Sequence, residues 1–192
     1  MSDAEIARKV LSVYADSKVA NPIDETADQE KLRAAGEIEK KIALVRPSDG
    51  ASLLPSKIKE WKTTSDYWIA GGEIVATALK KDSTRPLTCI LFAHLCVYAL
   101  KTTAPRFTVP IEVVEMKGGT GGFDNHYVLV AGRTSGTING KLSEWNKDAF
   151  VIDLWGHCQG LGDVAAQPPA IIVSGMNDYT RTTIATVPAW GV

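Results

Sequence analysis

Cysteine, histidine and unbalanced charge are all scarce in this chain. Three cysteines in 192 residues do not make a disulfide framework, and they fit a reducing compartment. Cys89 and Cys96 lie seven residues apart, about 10 Å along a helix, too far for a bridge within it. A pairing of Cys158 with either stays open. The formal net charge is −1 with no basic block, so neither nucleic acid nor an anionic membrane surface is an expected partner. No apolar run reaches the roughly 18 to 20 residues of a membrane-spanning helix. The opening MSDAEIARKV lacks the apolar core of a secretory signal. The expected location is the cytoplasm, or the cytosol of a target cell reached through a specialised secretion machine. With no C-x-x-C or H-x-x-x-H spacing, a zinc centre is not expected. GGTGG (residues 118–122) is not followed by a Lys-Ser/Thr signature, so it is no phosphate loop. Neither metal nor cofactor is implied. Repeats and low-complexity tracts are missing too.

What is present suits a single globular domain over residues 1–192. Hydrophobic residues make up 45 % and charged residues 22 %, and the length is enough to bury a core. Residues 1–81 read as helical. Ile6, Val10 and Val13 form one stripe in a helix over residues 4–17, and residues 28–45 are a charged helix former. Residues 46–65 read as loop with a short turn at 57–61. Ser65 or Asp66 caps a helix to about Lys81, interrupted or bent near Gly71 and Gly72. Residues 83–102 are a helix that is apolar almost all round. Beyond it the periodicity changes to alternation, with strands expected at 107–116, 125–132, 149–156 and 170–175, and a weaker one at 182–187. Helices first and antiparallel strands second is an α+β arrangement.

Cys89 stands near the start of that apolar helix, with Pro86 suited to the first turn and Ser83 or Thr84 to the cap. The positive end of a helix dipole stabilises a thiolate. His126 opens the NHYVLV strand, and Asp153 closes FVID. If the two strands pair antiparallel, the start of one lies beside the end of the other, so His126 and Asp153 become neighbours. The imidazole then takes the thiol proton, and the carboxylate fixes its tautomer. Asn125, Asp124 and Asp148 are alternative orienters. For Asp153 the competing explanation is a turn-capping carboxylate ahead of Trp155 and Gly156. For Cys89 it is an inert buried thiol, which is the expected state of Cys96. His94 lies about 140° around the helix from Cys89 and is expected to be a hydrogen-bonded helix residue.

Cys89 at a helix start, His126 in NHYVLV and Asp153 in VIDLWG, in that order, resemble the papain-like superfamily. They are similar in particular to bacterial toxin and effector members and to transglutaminase-like proteins. The resemblance covers residues 83–156. It implies a papain-like core, a catalytic helix on an antiparallel sheet, and a Cys89–His126–Asp153 triad that hydrolyses amides of a protein substrate without a cofactor. Deamidation of a Gln or Asn side chain is the favoured reaction, with proteolysis or transglutamination as alternatives. A binding module that keeps the fold without catalysis is the reading from a different class. The chain departs from the family in having Thr88 before the cysteine and no Gln or Asn between Gln29 and Cys89. The expected oxyanion donors are therefore the Cys89 backbone N–H and the Thr84 or Thr88 hydroxyl.

Overall fold

Ser2 and Glu5 form a capping box that starts α1 (Asp3–Leu11). The Ser2 hydroxyl accepts from the Glu5 N–H at 3.3 Å, and the Glu5 carboxylate accepts from the Ser2 N–H at 2.7 Å. The computed structural model describes residues 1–20, 29–47, 55–118, 125–166 and 178–191. After α1, a single 3-10 turn (Ser12–Tyr14) ends the helix that the sequence extends to residue 17. α2 (Gln29–Ala43) follows, then α3 (Pro55–Trp61) where only a turn is expected.

α4 (Ser65–Lys81) is capped by Thr64, whose hydroxyl accepts from the Tyr67 N–H at 3.3 Å. It runs without interruption through its glycine pair. Gly71 and Gly72 instead allow a close crossing with α5 (Cys89–Thr103). A Cβ on Gly71 would sit 2.4 Å from His94 Nδ1, and one on Gly72 would sit 2.2 Å from the His94 carbonyl oxygen. Two helices approach this closely only where side chains are absent.

The sheet is antiparallel throughout, in the order β4-β3-β2-β1-β5. β1 is Ile111–Lys117, beginning just after Pro110, where a proline no longer costs a ladder hydrogen bond. β2 is Asn125–Ala131 and β3 is Phe150–Ile152. β3 stops well short of residue 156: from Leu154 the chain is helical in α6 (Leu154–Cys158). β4 is Ala165–Ala166, and β5 is Thr180–Val187, a full edge strand along β1. The strand expected at 170–175 lies outside the described residues, as does most of GGTGG.

The two faces of the sheet bury different cores. Ile111, Val113, Leu129, Phe150 and Ile152 pack toward the helices, where Leu91, Phe92, Leu95 and Leu100 of α5 are fully buried. Val114, Met116, Val128, Val130 and Val151 pack the other way, under Leu142 and Trp145 from the connection after β2. That alternation is the period-2 geometry of a strand. α1 belongs to the first core through Ile6, Ala7 and Leu11, and Arg8 ties it to β4 by donating to the Ala165 carbonyl, while also pairing with Asp163 at 2.6 Å just before that strand. The N-terminal helices are therefore part of the domain's core. The whole is an α+β fold of helices on a five-stranded antiparallel sheet.

Candidate functional site

The segment before α5 is not helical. Leu87 forms a parallel bridge with Val19, its N–H donating to the Lys18 carbonyl at 2.9 Å. Pro86 therefore precedes the helix, Thr88 is its N-cap, and Cys89 is its first residue. The cysteine thus stands closer to the positive end of the dipole than the sequence suggests. It is partly exposed, whereas Cys96, two turns further along, is buried.

The Thr88 cap is unusual. Its hydroxyl donates to Glu39 Oε1 of α2 at 2.7 Å and makes no capping bond to the first turn. Thr84 is also committed elsewhere, its hydroxyl donating to Asp82 Oδ1 at 2.7 Å. Neither hydroxyl is then spare as an oxyanion donor. The first-turn N–H groups of α5, starting with that of Cys89, remain the donors a developing negative charge would meet.

β2 and β3 pair antiparallel, with Leu129 opposite Ile152, so Asp153 follows directly after the last paired residue. His126 Nε2 and Asp153 Oδ2 are 2.9 Å apart. The other Asp153 oxygen accepts from the Gly156 N–H at 2.8 Å and caps α6. Capping and pairing, rival explanations in the sequence, use separate oxygens of one carboxylate. This double attachment fixes the carboxylate that in turn fixes the imidazole. Trp155, buried in α6, lies with its ring centroid 5.0 Å from that of His126 and shields the pair from water.

The Cys89 side chain lies near enough to His126 to act on the charge of its imidazole. Burial works against the imidazolium, but the Asp153 carboxylate and the hydrogen bond and charge of Cys89 outweigh it and raise the pKa to about 10. The other cysteines lack such a partner. Burial, reinforced by the charge of Asp153, pushes the Cys96 thiol well up, and burial takes Cys158 up to about 11.

Other sequence candidates are drawn elsewhere. Asn125 donates to Glu115 Oε1 at 3.1 Å, so it does not orient His126, and Asp124 lies outside the described residues. His157 Nδ1 lies 2.7 Å from the Gly162 carbonyl oxygen, and the Cys158 thiol donates to that of Ala15 at 3.3 Å. His94 Nδ1 faces the Trp68 carbonyl oxygen at 3.1 Å inside an aromatic cleft.

A cluster that begins beside Cys89 escapes a reading of the sequence. Tyr127 is close enough for the Cys89 charge to act on it, and its hydroxyl donates to Glu115 Oε1 at 2.7 Å. Burial and that bond raise its pKa. Lys117 holds the other Glu115 oxygen at 2.9 Å. Glu115 and Tyr127 are register partners across β1 and β2. An acid at an odd, helix-facing position of β1 is the signal that could have found them.

No family model, no curated protein and no solved structure matches this chain. Among the described residues, no helix is long and apolar enough to cross a membrane.

Proposed function

We propose that the protein is a cysteine amidohydrolase with a papain-like core, in which Cys89 is the nucleophile, His126 the acid–base and Asp153 the orienter. The observation that carries this reading is His126 held between Asp153 and Cys89, with Cys89 at an uncapped helix N-terminus. His126 takes the thiol proton, and the thiolate attacks the carbonyl carbon of an amide. Negative charge collects on the oxygen beside the first-turn N–H groups. The C–N bond then breaks, with the departing nitrogen taking the proton from His126. Water, deprotonated by His126, cleaves the thioester and releases a carboxylate. The cycle consumes only water.

The favoured substrate is a Gln or Asn side chain of a protein target, so the products are ammonia and an uncut protein carrying a new carboxylate. The resemblance to toxin and effector members supports this choice and a site of action in a target cell's cytosol. The fold class also hosts proteases and transglutaminases, whose products differ.

Two measurements test the proposal. Peptide mapping after brief iodoacetamide treatment at neutral pH should find Cys89 alkylated at least tenfold faster than Cys96 or Cys158, an advantage lost in His126→Ala. Labelling of Cys89 no faster than Cys158 would overturn the proposal. Intact-mass analysis of a modified target then decides the reaction: Cys89-dependent fragments would make the protein a protease.

A further inference from the structure

The end of α5 remote from Cys89 carries a concave site. α1, the turn after it and the segment following α5 enclose a cavity of about 450 Å³, within the size range of small-molecule sites. Its walls are apolar: Ile6, Val10, Val13 and Tyr14 on one side, Pro105 on the other. Val13, in the turn after α1, is 76 % exposed at the lip, whereas Ile6 is buried and Val10 half-buried. Thr103 at the C-terminal end of α5 also lines the cavity, fourteen residues from Cys89 and so about 21 Å along the helix. This is a separate place on the molecule.

Its charge has one sign. Lys9 and Arg106 line the cavity and no carboxylate does. Neighbouring cations are spent, Arg8 on Asp163 and Lys101 on the face of Trp190. Among the described residues, neither Lys9 nor Arg106 has an ion-pair partner. An apolar wall beside two unspent cations suits a ligand that is apolar along its length and anionic at one end. A bare phosphate would leave the wall unused, and an uncharged hydrocarbon would leave the cations unused.

We propose that this cavity binds a free fatty acid, its acyl chain against Ile6, Val10, Val13 and Pro105 and its carboxylate paired with Lys9 and Arg106. Apolar burial supplies the affinity, and because exposed ion pairs are individually weak, the two cations supply selectivity for the head group.

The test is calorimetric titration of the full chain with dodecanoate below its micelle concentration. One saturable site is expected, with dodecanol bound about fivefold more weakly and dodecylammonium more weakly still. The double variant Lys9→Gln/Arg106→Gln should lose about fivefold for dodecanoate and nothing for dodecanol. Val10→Trp, which fills the cavity, should abolish binding of both. Val13→Asp, at an exposed position that does not test folding, should weaken dodecanoate at least tenfold. Absence of saturable dodecanoate binding would overturn the proposal, as would equal affinity for dodecylammonium or an unchanged double variant. Co-sedimentation with phosphatidylglycerol vesicles in the absence of dodecanoate binding would reassign the patch to a membrane surface and overturn it equally.

Discussion

His94, in the aromatic cleft between α4 and α5, and His126, at the start of β2, are both nearly fully buried, at 1 % and 8 % exposure. Burial opposes the charged form of each, yet they are driven in opposite directions. His94 stacks on Trp68 at a centroid distance of 4.1 Å and meets Tyr67 edge-on at 5.3 Å. Its polar partner there is a carbonyl, so burial takes its pKa down to about 4, with the Trp68 hydrogen bond opposing only in part. His126 faces a carboxylate and a thiol, and its pKa rises to about 10 against the same burial. Equal burial therefore does not make equal histidines; the counter-charge decides. One imidazole is a packing element and the other is poised to hold a proton.

The largest effect that could break this contrast is on activity. His126→Ala and Cys89→Ala should each lower amide hydrolysis at least about a thousandfold, since groups acting as a unit fail together. His94→Ala should leave Cys89 alkylation near the wild-type rate while lowering unfolding free energy by about 2 to 4 kcal/mol through the cavity it opens. A His94→Ala protein that is stable but unreactive would reverse the assignment. Ammonia release and urea denaturation on the same preparations measure both.

The packing side of the contrast can be struck from α4. Gly71→Ala should cost about 1 to 3 kcal/mol by pushing into the His94 ring, and Gly72→Ala should cost more because it meets backbone. Equal or negligible costs in thermal unfolding would mean that the α4–α5 crossing yields easily.

The pH dependence sharpens the contrast further. His94 has a folded value near 4 against an ordinary 6.5. Its contribution is thus complete above about pH 6.5 and is lost as pH falls toward 4, at up to about 1.4 kcal/mol per pH unit. His126 has a folded value near 10, so its contribution is complete below about 6.5 and is lost as pH rises toward 10. His94→Gln should flatten the acid limb of a stability–pH curve, and His126→Gln the alkaline limb. Loss of the same limb in both variants would show that the two rings are not tuned oppositely.

The smallest effect concerns the helix cap. Glu39→Ala frees Thr88 to turn back onto the first-turn N–H groups of α5, stabilising the helix by about 0.5 to 1 kcal/mol. It should also cover the oxyanion donors and slow hydrolysis severalfold, without slowing Cys89 alkylation. Glu39→Ala/Thr88→Ala should restore the rate. A slow double variant would mean that Glu39 acts by another route.

Local signals carried much of this. The apolar run that becomes α5, the alternation in NHYVLV and the helix-then-strand order are readable because each residue's contribution there depends on its near neighbours. α6 was not readable. DLWG continues an apolar strand pattern, and it turns helical because one Asp153 oxygen caps Gly156. β5 reads weakly because its threonines are only half apolar, yet it pairs along all of β1, whose edge offers unpaired backbone groups. The glycine pair of α4 reads as a weak point in the helix, and only the structure shows His94 packed against it. The N-terminal helices read as amphipathic, and only the structure shows that they give Leu11, Ala35 and Ile38 to the core they share with the sheet.

By itself the sequence determined which residues of a cysteine chemistry are available, in which order, and on which kinds of element. Helix starts and strand ends are set by capping, propensity and period, all short-range. Only the tertiary structure decided that His126 meets Asp153 at 2.9 Å, that Thr88 spends its hydroxyl on Glu39, and that Cys89 rather than Cys96 faces an imidazole. Those three facts join residues 27, 49 and 37 positions apart. A separation of that size is closed by the packing of whole elements onto a shared core, and no local preference encodes it.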